Sequence, residues 1–165
     1  MKYDPIDPKL FINNRENFCK NLQKGAMAIF HSNDLMPRNG DQAHQFRQNS
    51  DLFYLSGIDQ EESILMIAPE HPIVNLREAL FIKKTNAHIQ VWEGHKYSKE
   101  EARLCSGINN IYWLDDFEPQ FKAAMNHVDT LFLNLNENDR FTTEVPYKDI
   151  RFANKLKADY PLHKM

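Results

Sequence analysis

Apolar residues in this chain fall in short blocks separated by polar stretches that carry Pro, Gly, Asn and Asp. The first spacing is helical. Phe11, Phe18 and Leu22 recur at intervals of seven and four, which puts them on one face. Asp7-Pro8 predicts where that helix starts, because Asp can cap and Pro lacks the N–H that would go unpaired there. Gly25 predicts its stop. The blocks at 26–30, 63–68 and 79–82 are apolar throughout, the pattern of strands buried on both faces. Leu52 to Leu55 reads as another strand, joined by a turn at 57–62 to an antiparallel partner at 63–68. Residues 32–50 show no period and read as loop. Ile89 to Trp92 reads as a further short extended segment.

Ser98-x-x-Glu101 is a capping box, opening a short helix that Gly107 closes. Ile111 to Leu114 reads as extended. Asp115 is expected to cap a helix bearing Phe117, Phe121 and Met125. Thr130 to Leu135 reads as a strand, and Ile150, Ala153 and Leu156 mark a last helix. Mixed elements with short, wholly apolar strands predict an α/β fold, a sheet with helices on both faces. The chain has no internal repeat and no low-complexity tract.

Composition narrows the class. The 165 residues suffice for one core, and 26% charged with 42% hydrophobic residues is a soluble globular balance. A net charge of −3 argues against a nucleic-acid partner, which calls for a basic field. No apolar run approaches the ~20 residues of a membrane span. "MKYDPIDPKLF" has Pro and Asp where a signal peptide needs a continuous apolar region, so a cytoplasmic protein is expected. Cys19 and Cys105 are far apart and outside any C-x-x-C, and read as reduced, partly buried thiols.

No catalytic centre can be assembled from motifs. The seven histidines lack H-x-H, H-E-x-x-H or i, i+4 pairs, so no metal is expected on this chain. The pairs Glu61-Glu62, Glu100-Glu101 and Asp115-Asp116 sit at turns or helix starts, where the helix dipole explains them better than acid–base work. There is no G-x-S-x-G and no glycine-rich phosphate loop.

Two polar-aromatic stretches remain. In "HQFRQNSDLFYLSG", Arg47, Gln48, Asn49, Ser50 and Asp51 stand together just before an apolar run. In "VWEGHK", Trp92 is carried onto a Glu-Gly turn, either as a core ring at a strand end or as a wall offered to a ligand. "FRQNSDLFYLSGIDQEESILMIAP", followed about thirty residues later by "VWEG", strongly resembles the N-terminal domain of Xaa-Pro aminopeptidase (aminopeptidase P). The order of elements agrees over most of the chain.

The resemblance implies a three-layer mixed sheet flanked by helices, of the creatinase N-terminal type and related to the ribonuclease-H-like arrangement, with residues 1–165 as that domain. It implies that hydrolysis belongs to a following pita-bread domain absent from this chain. There, two divalent metals, usually manganese, would act on peptides with proline second. It implies homo-oligomers, dimers or tetramers, in the full-length enzyme. It further implies that Asp41 reaches toward a neighbouring subunit's site and that Trp92 helps wall the pocket for the substrate's first residue. Arg47, Gln48, Asn49, Ser50 and Asp51 are expected to form an internal network that braces these loops. One departure stands out: Lys96, preceded by His95, occupies a position where many relatives carry Arg, and it loses the planar fork for a bidentate carboxylate contact. Two other readings keep part of this picture, a prolidase-like or creatinase-like hydrolase and a stand-alone binding or assembly module. The abrupt end at Met165 is expected to count against the module.

Overall fold

The computed structural model describes residues 4–86, 94–135 and 146–164. Helix α1 (Pro8–Asn21) starts as its sequence dictates: the Asp7 side chain accepts from the Lys9 N–H and Pro8 fills the first turn. Strand β1 (Ala26–His31) is buried at every position. Next come a small hairpin, β2 (Pro37–Asn39) and β3 (Gln42–Ala43), and helix α2 (Ser50–Ser56). Strands β4 (Ile64–Ile67) and β5 (Glu78–Ile82) follow, then α3 (Lys99–Ser106), β6 (Asn110–Trp113), α4 (Phe117–Met125), β7 (Thr130–Leu133) and α5 (Lys148–Asp159).

Five strands form one mixed sheet in the order β6-β5-β4-β1-β7. The central pairs are antiparallel, with His31 opposite Ile64 and Ile64 opposite Phe81. The outer pairs, β1 with β7 and β5 with β6, are parallel. Successive side chains leave a strand on opposite faces, so each apolar block feeds two cores. Met27, Ile29, Met66 and Phe81 face a layer made by α4 and α5, where Phe117, Phe121 and Leu156 close the core. Ala28, Leu65, Ile67 and Leu80 face Leu52, Leu55, Ala102 and Ile108 on the other side, beneath α1, α2 and α3. This is the expected three-layer α/β fold.

Arg15 ties the second layer together. It is buried, its Nη1 donates to the carbonyls of Leu55 (2.7 Å) and Ser106 (2.9 Å), and its Nε pairs with Glu78. Those carbonyls end α2 and α3, where a cation suits the negative end of the helix dipole. Both helices stop on a left-handed glycine, Gly57 (φ 70°) and Gly107 (φ 72°). A Cβ at Gly57 would lie 2.3 Å from the Phe11 ring, and one at Gly107 2.7 Å from Ile12, so only glycine lets α1 come this close.

Four expectations are corrected. Leu52–Leu55 is helical, not extended. Asn49 caps α2 by accepting the N–H groups of Asp51 and Leu52, and Leu52, Leu55 and Ser56 form its buried face. In consequence β4 pairs with β1 and β5 rather than with residues 52–55. The stretch 32–50 is not all loop, because Gly40-Asp41, with Gly40 at φ 56°, turns a two-stranded hairpin between Asn39 and Gln42. Asp115 does not cap α4: residues Leu114–Asp116 form a 3-10 turn, and Asp116, at the cap position, makes no side-chain capping bond. The expected segment Ile89 to Trp92 lies outside the described residues.

Candidate functional site

The antiparallel register brings three chain ends to one edge of the fold: the end of β1, the beginning of β4 and the end of β5. A cleft of 1340 Å³ opens there. Asp34 follows β1, Glu61 and Glu62 precede β4, Lys83 follows β5, and Lys148 and Arg151 come from α5. Apolar wall is supplied by Leu35, Phe46 and Leu104. His95, Lys96 and Tyr97, the residues that follow "VWEG", also line it.

The polar block sorts into distinct jobs. Gln48 does the bracing. Its Nε2 donates to the carbonyls of Ile58 (3.0 Å) and Gln60 (2.8 Å), and its Oε1 accepts the Asn49 N–H (2.8 Å). Asn49 caps α2, and its Oδ1 also accepts from Asn134 Nδ2 at 3.2 Å. Ser50 and Asp51 are exposed in the first turn of α2, where a carboxylate suits the positive end of the dipole. The Arg47 side chain is exposed, and the backbone carbonyl of Arg47 accepts from Asn33 Nδ2 at 3.0 Å. The printed contact of Arg47 with a neighbouring loop is thus through its backbone, with the side chain open to solvent. Asp41 sits exposed at the turn of the β2–β3 hairpin, outside the residues that line the cleft. Trp92 lies outside the described residues.

Sequence reasoning passed over Gln60. It is 3% exposed, and its Oε1 accepts the Tyr97 N–H at 2.7 Å. Beside it Lys96, 6% exposed, pairs with Glu61. The carboxylate contact sought from Lys96 is thus internal, a single ammonium on one carboxylate oxygen. Only the Gln60-Glu61 pair inside a turn hinted at this, and turns are ordinarily polar.

Ion pairs and burial set the electrostatics of the cleft. The Arg151 guanidinium donates to both Asp34 oxygens (2.8 and 3.1 Å) and holds that carboxyl below its ordinary value. Burial pushes the Lys148 ammonium below the ordinary lysine value, opposed by Asp34 and Glu62. Burial drives Tyr97 up to about 12 and raises both thiols, Cys19 and Cys105, which makes them poor nucleophiles. Among the described residues no three His, Cys, Asp or Glu side chains gather where they could hold a metal. The described donors do not fit a two-metal group, which the resemblance assigns to a following domain.

Comparison with known proteins agrees with the fold and the block. The family described as aminopeptidase P, N-terminal domain, matches residues 11–132. The Xaa-Pro aminopeptidase of Escherichia coli (strain K12) is 21% identical over 127 residues, covering 77% of this chain and 29% of that protein. Human Xaa-Pro aminopeptidase 3 is 26% identical over 102 residues, covering 59% of this chain and 20% of that protein. A solved structure of an aminopeptidase P candidate from Bacillus anthracis superposes with a TM-score of 0.82 at 27% identity, covering 96% of this chain and 38% of that one. The chain thus spans well under half the length of the relatives it matches. Because the match takes in α1, the "FRQNSD" block, the five-stranded sheet and α3, the chain belongs to the aminopeptidase P N-terminal domain family.

Proposed function

We propose that this chain is the non-catalytic N-terminal domain of an Xaa-Pro aminopeptidase, an enzyme that removes the first residue from peptides with proline second. The observation that carries the reading is the match of the N-terminal family over residues 11–132, joined to an open cleft whose described lining holds ion pairs and apolar wall but no activated nucleophile. In this reading two divalent metals, manganese by the family's habit, belong to a catalytic domain that the full-length protein adds. The peptide substrate and that domain are the partners of this chain, the full-length protein is a cytoplasmic homo-oligomer, and no nucleic acid or membrane takes part. No helix among the described residues is long and apolar enough to cross a membrane. Exposure of Asp41 at the turn of an exposed hairpin supports its reach toward a neighbouring subunit. The cleft-lining places of Lys83 and His95, on either side of residues 87–93, support Trp92 as a border of the substrate pocket.

The test compares the 165-residue chain with the full-length gene product on Xaa-Pro peptides, with and without manganese and a chelator. The chain alone should fold and show no turnover. The full-length protein should release the first residue, and chelation should abolish that release. Turnover by the chain alone would overturn the reading. Hydrolysis confined to dipeptides would move it to a prolidase-like enzyme.

A further inference from the structure

The cations that line the cleft are paired, with one exception. Arg151 lies on Asp34 at 2.8 Å, Lys83 on Glu62 at 3.3 Å and Lys96 on Glu61, and His95 faces Glu101 at 3.4 Å. Among the described residues Lys148 has no such partner, although it is half-buried in the same lining. Three acids act on its ammonium, Asp34, Glu62 and Asp149, and each is engaged elsewhere. Asp34 holds Arg151 and accepts the Lys148 backbone N–H, Glu62 holds Lys83, and Asp149 pairs with His31 at 2.7 Å.

This ammonium is kept at a cost. Burial opposes its charge, and an apolar side chain of similar length would bury more favourably. A side chain that opposes the fold points to a functional demand at its position. The surface around it is apolar and open. Leu35 directly follows Asp34, which is bonded to the Lys148 backbone, and Leu35 is 51% exposed. Elsewhere in the lining a second donor is unmade: Gln60 is 3% exposed, and its Nε2 has no partner among the described residues. Both donors call for acceptor oxygens that a ligand would bring.

We propose that Lys148 anchors a peptide subsite in this cleft, its ammonium taking the carboxylate of an acidic residue whose apolar neighbour lies on Leu35. Peptides with an acidic residue beyond the proline are then the preferred substrates, a step that rests on the aminopeptidase reading above.

Two blocked dipeptides, acetyl-Leu-Glu-amide and acetyl-Leu-Gln-amide, titrated into the 165-residue chain and followed by amide NMR shifts, test the subsite. The Glu peptide should bind about tenfold more tightly, the worth of a hydrogen bond to a charged group. Its shifts should centre on Lys148 and Leu35, and the preference should shrink as salt is added. Lys148→Met should abolish the preference while melting higher than the parent, which separates recognition from fold. Lys148→Arg should keep the preference. If Lys148→Met does not fold, Lys148→Gln carries the same expectation for binding. In the full-length protein, Ala-Pro-Leu-Glu-amide should be cleaved with a kcat/KM about tenfold above that of Ala-Pro-Leu-Gln-amide, and Lys148→Met should bring the two together. Equal affinities for the dipeptides, or a preference that survives loss of the ammonium, would overturn the subsite. Binding by the chain with no cleavage of either tetrapeptide by the full-length protein would keep the subsite and refute the aminopeptidase reading instead. Cleavage of both tetrapeptides at equal rates would overturn its part in substrate choice.

Discussion

Gln48 directs its amide at two carbonyls of another loop, and truncating it removes a donor from Ile58 and leaves Gln60 with Ser63 Oγ. Gln48→Ala should cost about 1–3 kcal/mol, read as a lower urea midpoint with an unchanged slope. Its neighbour Arg47 has an exposed side chain, so Arg47→Ala should stay within about 0.5 kcal/mol of the parent in the same titration. A large loss at Arg47 and none at Gln48 would reverse the assignment. The charge pairs make a further test. Asp34 is held below its ordinary value chiefly by the hydrogen bond from Arg151, and a carboxyl depressed on folding stabilises above its unfolded pKa. That contribution is lost as pH falls through the folded value. Arg151→Ala should therefore lower the midpoint slightly at neutral pH and make no difference once the solution is well below about pH 4. Lys148 has the opposite sense. Burial lowers its folded value, so its charged form opposes folding at neutral pH and the opposition fades as pH rises toward the lysine range. Lys148→Met should raise the melting midpoint at pH 7.

Helix α2 shows both what a sequence declares and what it hides. Seven residues are too few to display a helical period, and "LFYL" alone is as apolar as a strand. The signals that decide it lie outside the run, in Asn49 as a cap and Gly57 as a left-handed stop. Asn49→Ala should therefore cost about 1 kcal/mol, the usual worth of a cap. Gly57→Ala should cost more, because strain at φ 70° of about 1–2 kcal/mol adds to a collision with the Phe11 ring. Calorimetry would rank the two, and equal losses would mean that Phe11 moves aside freely. The other elements were legible for physical reasons: β1, β4 and β5 are apolar throughout, the Ser98 box is complete, and α1 carries Asp-Pro at its start. The 3-10 turn before α4 and the β2–β3 hairpin were not, since each is too short for a hydrophobic period to show. At the site, Gln48 and Asn49 hydrogen-bond to residues of other loops. Gln60 stayed invisible because its partners are 37 and 12 positions away.

At the scale of the whole molecule, the cleft sits where the ends of the β1, β4 and β5 strands meet, and the two cores lie on either side of the sheet. Substitutions in the cleft should change recognition while leaving the fold intact, and substitutions in the cores should do the reverse. Trp92→Ala in the full-length protein should lower kcat/KM most for bulky apolar first residues and least for Gly or Ala, with little change in the melt of the 165-residue chain. A loss of about 3–5 kcal/mol in that melt, with a uniform kinetic effect, would make Trp92 a core ring.

The Arg15 knot has a consequence for how the chain is made. Its partners lie 40, 63 and 91 positions further along, at Leu55, Glu78 and Ser106. A ribosome releases these in order, at about 5–20 residues per second, so Arg15 waits several seconds for its last acceptor. The layer of α1, α2 and α3 can then close over β1, β4, β5 and β6 before α4 has emerged. On this order of synthesis Arg15 can reach its three partners before α4 is made. Chains truncated after residue 116 should resist brief proteolysis through residues 8–86, and chains truncated after residue 98, which lack the Ser106 carbonyl, should be digested.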